Sequence, residues 1–291
     1  MRPPQSLQPE TTRPEVLRIA LYQCVGKPGD IAGNLALLRD AALEAQQGGA
    51  QLLVFPELFL SGYEIGAQLH TLAEPQDGPS AAAVRAVAQE TGVAICYGYP
   101  ERGTPPAGVG GDQEYAGANQ PVYNAALLVN AQGETLANYR KTHLFGAYEQ
   151  RHFTPGAQWA RAELHGWQVA LLICYDVEFP EAVRAQAMAG AQLVLVPTAV
   201  FAPYTVVPRL VVPCRAWENQ LFVAYANRCG QESTLTYLGE STIAAPDGTV
   251  LARASESEAG LIYATLDPAL ITAGRTENPY LDDLRPELYP K

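Results

Sequence analysis

Apolar and polar positions alternate from Val16 to Cys24, which predicts a strand. From Asn34 to Gln47 the apolar residues Leu35, Leu38, Ala42 and Ala45 recur at helical spacing, and Gly48-Gly49 stops that helix. A short apolar strand at Gln51 to Phe55, an Ala-rich helix at Ser80 to Glu90 with Ser80 as N-cap, and a strand at Val93 to Tyr99 complete a β-α-β-α-β run. Strands at Tyr123 to Asn130 and Thr135 to Tyr139 follow, joined by a hairpin through Ala131-Gln132-Gly133. A second run then repeats the theme. Its strands are Trp167 to Cys174, Leu193 to Val196 and Leu221 to Ala226, and its helices are Pro180 to Ala189 and Pro208 to Asn219. Late strands at Ser241 to Ala245, Thr249 to Ala252 and Gly260 to Thr265 close the pattern. Parallel units of this kind bury their sheets under helices, and the interleaved hairpin strands fit a helix-sheet-sheet-helix layering.

The chain has 291 residues, 48% hydrophobic and 17% charged, which places it among globular proteins. Its densest Gly/Pro stretch, Gly103 to Gly111, reads as a surface loop between strands, so residues 16–291 are taken as one domain behind a flexible tail of residues 1–15. A formal net charge of −11 argues against nucleic acid and anionic membranes as partners. No window reaches the ~18 apolar residues of a membrane span, and a cytoplasmic location is expected. The five cysteines form no C-x-x-C pair, so a disulfide framework is not expected. Four of them, Cys24, Cys96, Cys214 and Cys229, read as small core hydrophobes.

Three segments place reactive side chains just past strand ends, where loops carry chemistry in α/β proteins. In Leu52-Leu-Val-Phe-Pro-Glu57 a carboxylate follows a buried strand among apolar residues, an environment suited to a general acid or base. The same position also suits a helix-start Glu that accepts backbone N–H bonds. In Tyr139-Arg-Lys141-Thr-His143 a lysine could donate to a developing oxyanion, although Arg-Lys after a strand is more often a solvated face. In Val169-Ala-Leu-Leu-Ile-Cys174 a thiol ends an apolar run at a strand-to-helix turn, whose N–H groups can lower a thiol pKa. The histidines, His70, His143, His152 and His165, lack metal-ligand spacing, and His143 would be the base of any Cys-His pair.

Together these segments resemble the nitrilase, or carbon–nitrogen hydrolase, superfamily. The motifs F-P-E-L-F-L-S-G-Y, Y-R-K-T-H-L-F, C-Y-D-V-E-F-P-E and R-A-W-E-N-Q stand in the family's order between about Val16 and Thr265. The resemblance implies a four-layer α-β-β-α sandwich, a homodimer or larger homo-oligomer, and no metal or organic cofactor. It assigns the Glu-Lys-Cys triad to Glu57, Lys141 and Cys174, and a further active-site glutamate to Glu149. It also implies an oxyanion held by Lys141 and the Tyr175 backbone N–H, and a pocket drawn from Tyr63, Phe145, Tyr148, Tyr175, Glu178, Thr198 and Ala199. Glu178 either favours an ammonium-bearing amide or caps the next helix. Tyr175-Asp176 after the cysteine resembles amidases that release ammonia from a primary carboxamide through a thioester. A nitrilase or N-carbamoyl-amine hydrolase is the alternative enzyme, and a scaffold protein the non-catalytic one.

Overall fold

The computed structural model describes residues 14–103 and 120–288. In chain order the first half contains β1 Leu17–Gln23, α1 Ile31–Gln47, β2 Leu52–Val54, α2 Gln68–Leu72, α3 Pro79–Thr91, β3 Ala94–Arg102, β4 Val122–Val129, β5 Thr135–Arg140 and α4 Gly146–His152. The second half contains β6 Ala160–Leu164, β7 Trp167–Leu171, α5 Pro180–Met188, β8 Leu193–Pro197, α6 Val212–Asn219, β9 Phe222–Ala226 and β10 Cys229–Glu232. It ends with β11 Leu235–Leu238, β12 Thr242–Ala244, β13 Val250–Arg253, β14 Gly260–Leu266 and α7 Ala269–Glu277.

Two six-stranded sheets form, in the orders β14-β1-β2-β3-β4-β5 and β13-β12-β9-β8-β7-β6. Each has a parallel centre, β1-β2-β3 in one and β7-β8-β9 in the other, flanked by antiparallel strands. The period-two pattern of β1 explains the layering. Leu17, Ile19 and Leu21 join a core that continues through the second sheet to α5 and α6, whereas Ala20 joins a core under α1 and α3. The α-β-β-α sandwich expected from the sequence is therefore the observed architecture.

Several local expectations are corrected. Ser80 is not an N-cap. Helix α3 starts after Gly78, and the Glu74 carboxylate accepts from both the Ser80 N–H at 2.8 Å and its hydroxyl at 2.9 Å. The strand expected through Cys174 stops at Leu171, and Cys174 opens a 3-10 turn, Cys174–Glu178. The single helix over 208–219 is a π-helical turn, Val207–Val211, followed by α6. Pro208 and Pro213 each lack an N–H there, so the ordinary ladder is interrupted. Cys214 on α6 is exposed, not a core residue. Residue 15, assigned to the tail, is docked through its carbonyl, which accepts from Trp167 Nε1 at 2.8 Å. Beyond Gly103, the expected loop over 103–111 lies outside the described residues, as do residues 1–13 of the tail.

Candidate active site

Glu57 follows β2 by way of Phe55 and Pro56, and its path is dictated by a close approach. A Cβ at Gly98 of β3 would stand 2.4 Å from the Leu58 nitrogen and 2.8 Å from the Glu57 Cα, so only glycine lets the turn lie on that strand. Gly98 N–H donates to the Pro56 carbonyl, and Leu60 N–H donates to the Gly98 carbonyl. Leu58 adopts φ 47°, a left-handed conformation that a non-glycine residue holds only when its surroundings enforce it. The enforcing group is Arg228. This fully buried guanidinium donates to the carbonyls of Glu57 at 3.1 Å, Leu58 at 2.7 Å and Val25 at 3.0 Å. Glu232, 3.4 Å from Arg228, accepts from the Tyr63 and Glu64 N–H groups at the far end of the same loop. Glu57 N–H itself donates to the Thr198 carbonyl at 3.3 Å, which joins the first sheet's loop to the second sheet.

Lys141 is the residue after β5, and its ammonium is buried completely. Nζ donates to Glu57 Oε1 at 2.8 Å and to Glu149 Oε1 at 2.6 Å. Asn124 Nδ2 donates to the same Glu57 oxygen at 2.6 Å, which leaves Oε2 without a hydrogen-bond partner among the described residues. Glu149 stands on α4. Its carboxylate accepts from the Tyr63 hydroxyl at 2.7 Å and from the Phe145 N–H at 2.8 Å. Burial works against the lysine charge, but Glu149 and then Glu57 outweigh it and hold the Lys141 pKa well above the usual lysine range. Burial raises the Glu149 pKa, against the pull of Lys141. The Tyr63 phenol is pushed up by burial and by Glu149, and so stays a donor.

Cys174 lies at φ 45° and is partly exposed at the head of its 3-10 turn. Asp176, buried within that turn, gathers the surrounding donors. Oδ2 accepts from Ile173 N–H at 3.0 Å and Tyr139 hydroxyl at 2.9 Å, and Oδ1 accepts from Thr142 hydroxyl and His143 N–H, both at 3.0 Å. His143 Nδ1 lies 2.7 Å from Oδ1 and its ring stacks on Phe179, so this imidazole braces the turn rather than serving the thiol as a base. The thiol is not pre-ionised as its turn suggested. Burial and the Glu57 charge push its pKa well up, against Lys141 and the Ala199 N–H that bonds to it. Of the other thiols, burial raises Cys24 to about 12 and raises Cys96 as well.

A cavity of about 40 Å³ opens on Cys174, with Tyr63, Phe145, Tyr175, Glu178 and Ala199 in its wall together with Phe201 and Tyr204. Tyr148 and Thr198 stand behind that wall. The Tyr148 hydroxyl donates to the Tyr63 carbonyl at 2.8 Å and its ring stacks on Tyr63, while Thr198 supplies the carbonyl that receives Glu57. Glu178 does not cap α5, which has no side-chain cap bond. A larger surface hollow of about 440 Å³, near Tyr123 and Arg140, contains no nucleophile. Among the described residues no group of three or more His, Cys, Asp or Glu side chains is arranged to hold a metal ion, and no helix is long and apolar enough to cross a membrane. Arg228, Glu232 and the bracing role of Asp176 escape sequence reasoning, since each acts on partners remote along the chain.

Residues 18–276 match the profile of the family described as Carbon-nitrogen hydrolase. A protein described as a hydrolase in the pqqF 5' region of Pseudomonas protegens is 50% identical over 94% of this chain and 91% of its own length. An (R)-stereoselective amidase from a Pseudomonas species is 36% identical over 92% of each chain. Among solved structures, an amidase from Nesterenkonia sp. AN1 in complex with butyramide superposes with a TM-score of 0.80 at 38% identity, over 94% of this chain and 95% of that one. Another structure of that amidase carries the acetamide moiety of fluoroacetamide on its active-site cysteine.

Proposed function

The chain belongs to the carbon–nitrogen hydrolase family, and from that premise we propose that it is an amidase converting a small primary carboxamide to the carboxylic acid and ammonia. One observation carries the reading: Lys141 is held between Glu57 and Glu149 in a dry cluster beside a cavity that exposes Cys174. The amidase relatives and the butyramide complex support the substrate class. The free Oε2 of Glu57 takes the thiol proton as Sγ adds to the amide carbon, which suits a thiol that rests protonated. Charge then builds on the carbonyl oxygen, where the Lys141 ammonium and the Tyr175 N–H stabilise it in a water-poor site. Glu57 passes its proton to the departing nitrogen, ammonia leaves, and a thioester remains on Cys174. Water attacks that thioester with Glu57 as base, and the acid is released. Glu149 keeps Lys141 charged and fixed in place.

A site whose donors address an oxygen favours an amide over a nitrile, whose first adduct is a thioimidate with a basic nitrogen. Ammonia release from butyramide, butyronitrile and an N-carbamoyl amine tests this, with the amide fastest. A nitrile rate equal to the amide rate would overturn the reading in favour of a nitrilase, and a faster N-carbamoyl compound in favour of a carbamoyl-amine hydrolase.

The proposal includes a homodimer or larger homo-oligomer. Leu210 is 67% exposed, and Trp217, 42% exposed, packs its ring against that of Tyr280; these are apolar side chains that a second subunit would cover. Sedimentation at micromolar concentration should show a species larger than the 31.3 kDa chain. Five free thiols fit a reducing compartment, the cytoplasm.

A further inference from the structure

Glu178 shares the cavity wall with Cys174, one 3-10 turn further along, yet the mechanism above gives it no task. At about 2 Å of rise per residue its Cα lies roughly 8 Å from that of the nucleophile along the turn. The neighbouring cations are both committed elsewhere. Lys141 donates to Glu57 and Glu149. Arg215 donates to the Val177 carbonyl at 2.9 Å, to the Glu178 backbone carbonyl at 2.7 Å and to the Glu218 carboxylate at 2.9 Å. The Glu178 carboxylate itself has no hydrogen-bonding or ion-pair partner among the described residues. In the same cavity wall, four aromatic rings pack edge to face. Phe145 stands 5.2 Å from Tyr175 and 5.9 Å from both Phe201 and Tyr204, and the last two stand 5.7 Å apart. Aromatic faces together with an uncommitted carboxylate form an environment that recognises a cation. The site as a whole points the same way, since Glu57, Glu149 and Glu178 outnumber its one ammonium, and a chain of net charge −11 attracts cations.

Resting on the amidase reading, we propose that Glu178 selects amides that carry an ammonium group a short spacer away from the carbonyl, on the acyl side. Burial raises the Glu178 pKa while Lys141 and Arg215 oppose it, and a bound ammonium would add to their side. The cavity is small, and Glu178 lies one turn from Cys174, which favours a short spacer.

Three amides of nearly equal size isolate charge from shape: β-alaninamide, with an ammonium; butyramide, with a methyl in its place; and malonamate, with a carboxylate. For the unaltered enzyme kcat/KM is expected to fall in that order, with about tenfold between the first two, the ratio that a difference of about 1.4 kcal/mol produces. In Glu178→Gln the ratio of β-alaninamide to butyramide should collapse towards one. Butyramide hydrolysed as fast as β-alaninamide by the unaltered enzyme overturns the proposal without recourse to any variant. A tenfold ratio that survives Glu178→Gln overturns the assignment to this residue. Hydrolysis of none of the three overturns the amidase reading beneath the proposal, and the proposal with it.

Discussion

The turn that carries Glu57 and the turn that carries Cys174 are counterparts. Each follows a parallel strand, β2 in one sheet and β7 in the other, and each contains a non-glycine residue at φ near +46°, Leu58 at 47° and Cys174 at 45°. What holds them differs in sign. The first presents carbonyl oxygens and is held by a buried cation, Arg228; the second is held through N–H and O–H donors by a buried anion, Asp176. Each clamp matches the polarity that the turned backbone exposes. The clamps also reach different distances. Asp176 ties its own turn to the end of β5, where Lys141 begins, whereas Arg228 with Glu232 spans one loop from Glu57 to Glu64. The position of Glu57 is thus set within its loop, and that of Cys174 relative to Lys141. Neither clamp lines the cavity, so both act only by placement.

Removing the reacting atoms sets the upper limit. Cys174→Ala should abolish amide turnover while the melting temperature changes little, because a partly exposed thiol contributes less packing than a core Leu, whose truncation costs about 2–5 kcal/mol. Next, Lys141→Ala and Glu57→Gln should each lower kcat by about 10²–10³ or more, with smaller changes in KM.

The clamps come third and separate the two turns. Asp176→Asn keeps the shape but replaces one acceptor oxygen with a donor, and the resulting displacement should lower kcat by up to about 10²-fold with KM nearly constant. Arg228→Lys keeps the charge but cannot reach three carbonyls in a fixed fork, so it should lower the melting temperature as well as kcat. If both variants lose stability alone, with kcat intact, the clamps are ordinary scaffolding. The smallest effect concerns Cys214, which is exposed and should alkylate without any loss of turnover; peptide mapping by mass distinguishes it from Cys174.

The layers of the fold were legible because buried strands such as Leu52–Val54 and Leu193–Pro197 are apolar throughout, whereas the end of β7 was not, since the apolar run from Trp167 continues past Leu171 to Cys174. Nor were elements with little buried surface. Strand β6 alternates exposed and half-buried residues, and α4 buries only Glu149, so neither offers an apolar period to read. The side chains now gathered around Lys141 and Cys174 were identifiable from strand-end position and family motifs. Their supports were not, since Arg228 reaches Glu57 across 171 positions and Glu232 reaches Tyr63 across 169. Cys214 was misread because a proline-interrupted helix hides which of its faces turns inward.

The hydrogen bond from Glu57 N–H to the Thr198 carbonyl stitches the two halves of the chain together, and it bears on how the protein comes into being. The groups that shift the Cys174 thiol arrive from afar: Glu57, Lys141, Glu149 and the N–H at 199. Contacts so distant along the chain cost loop-closure entropy that local contacts do not. A ribosome releasing this polypeptide therefore delivers Glu57 and Lys141 first and Cys174 afterwards, and the cluster is complete only when the two sheets meet.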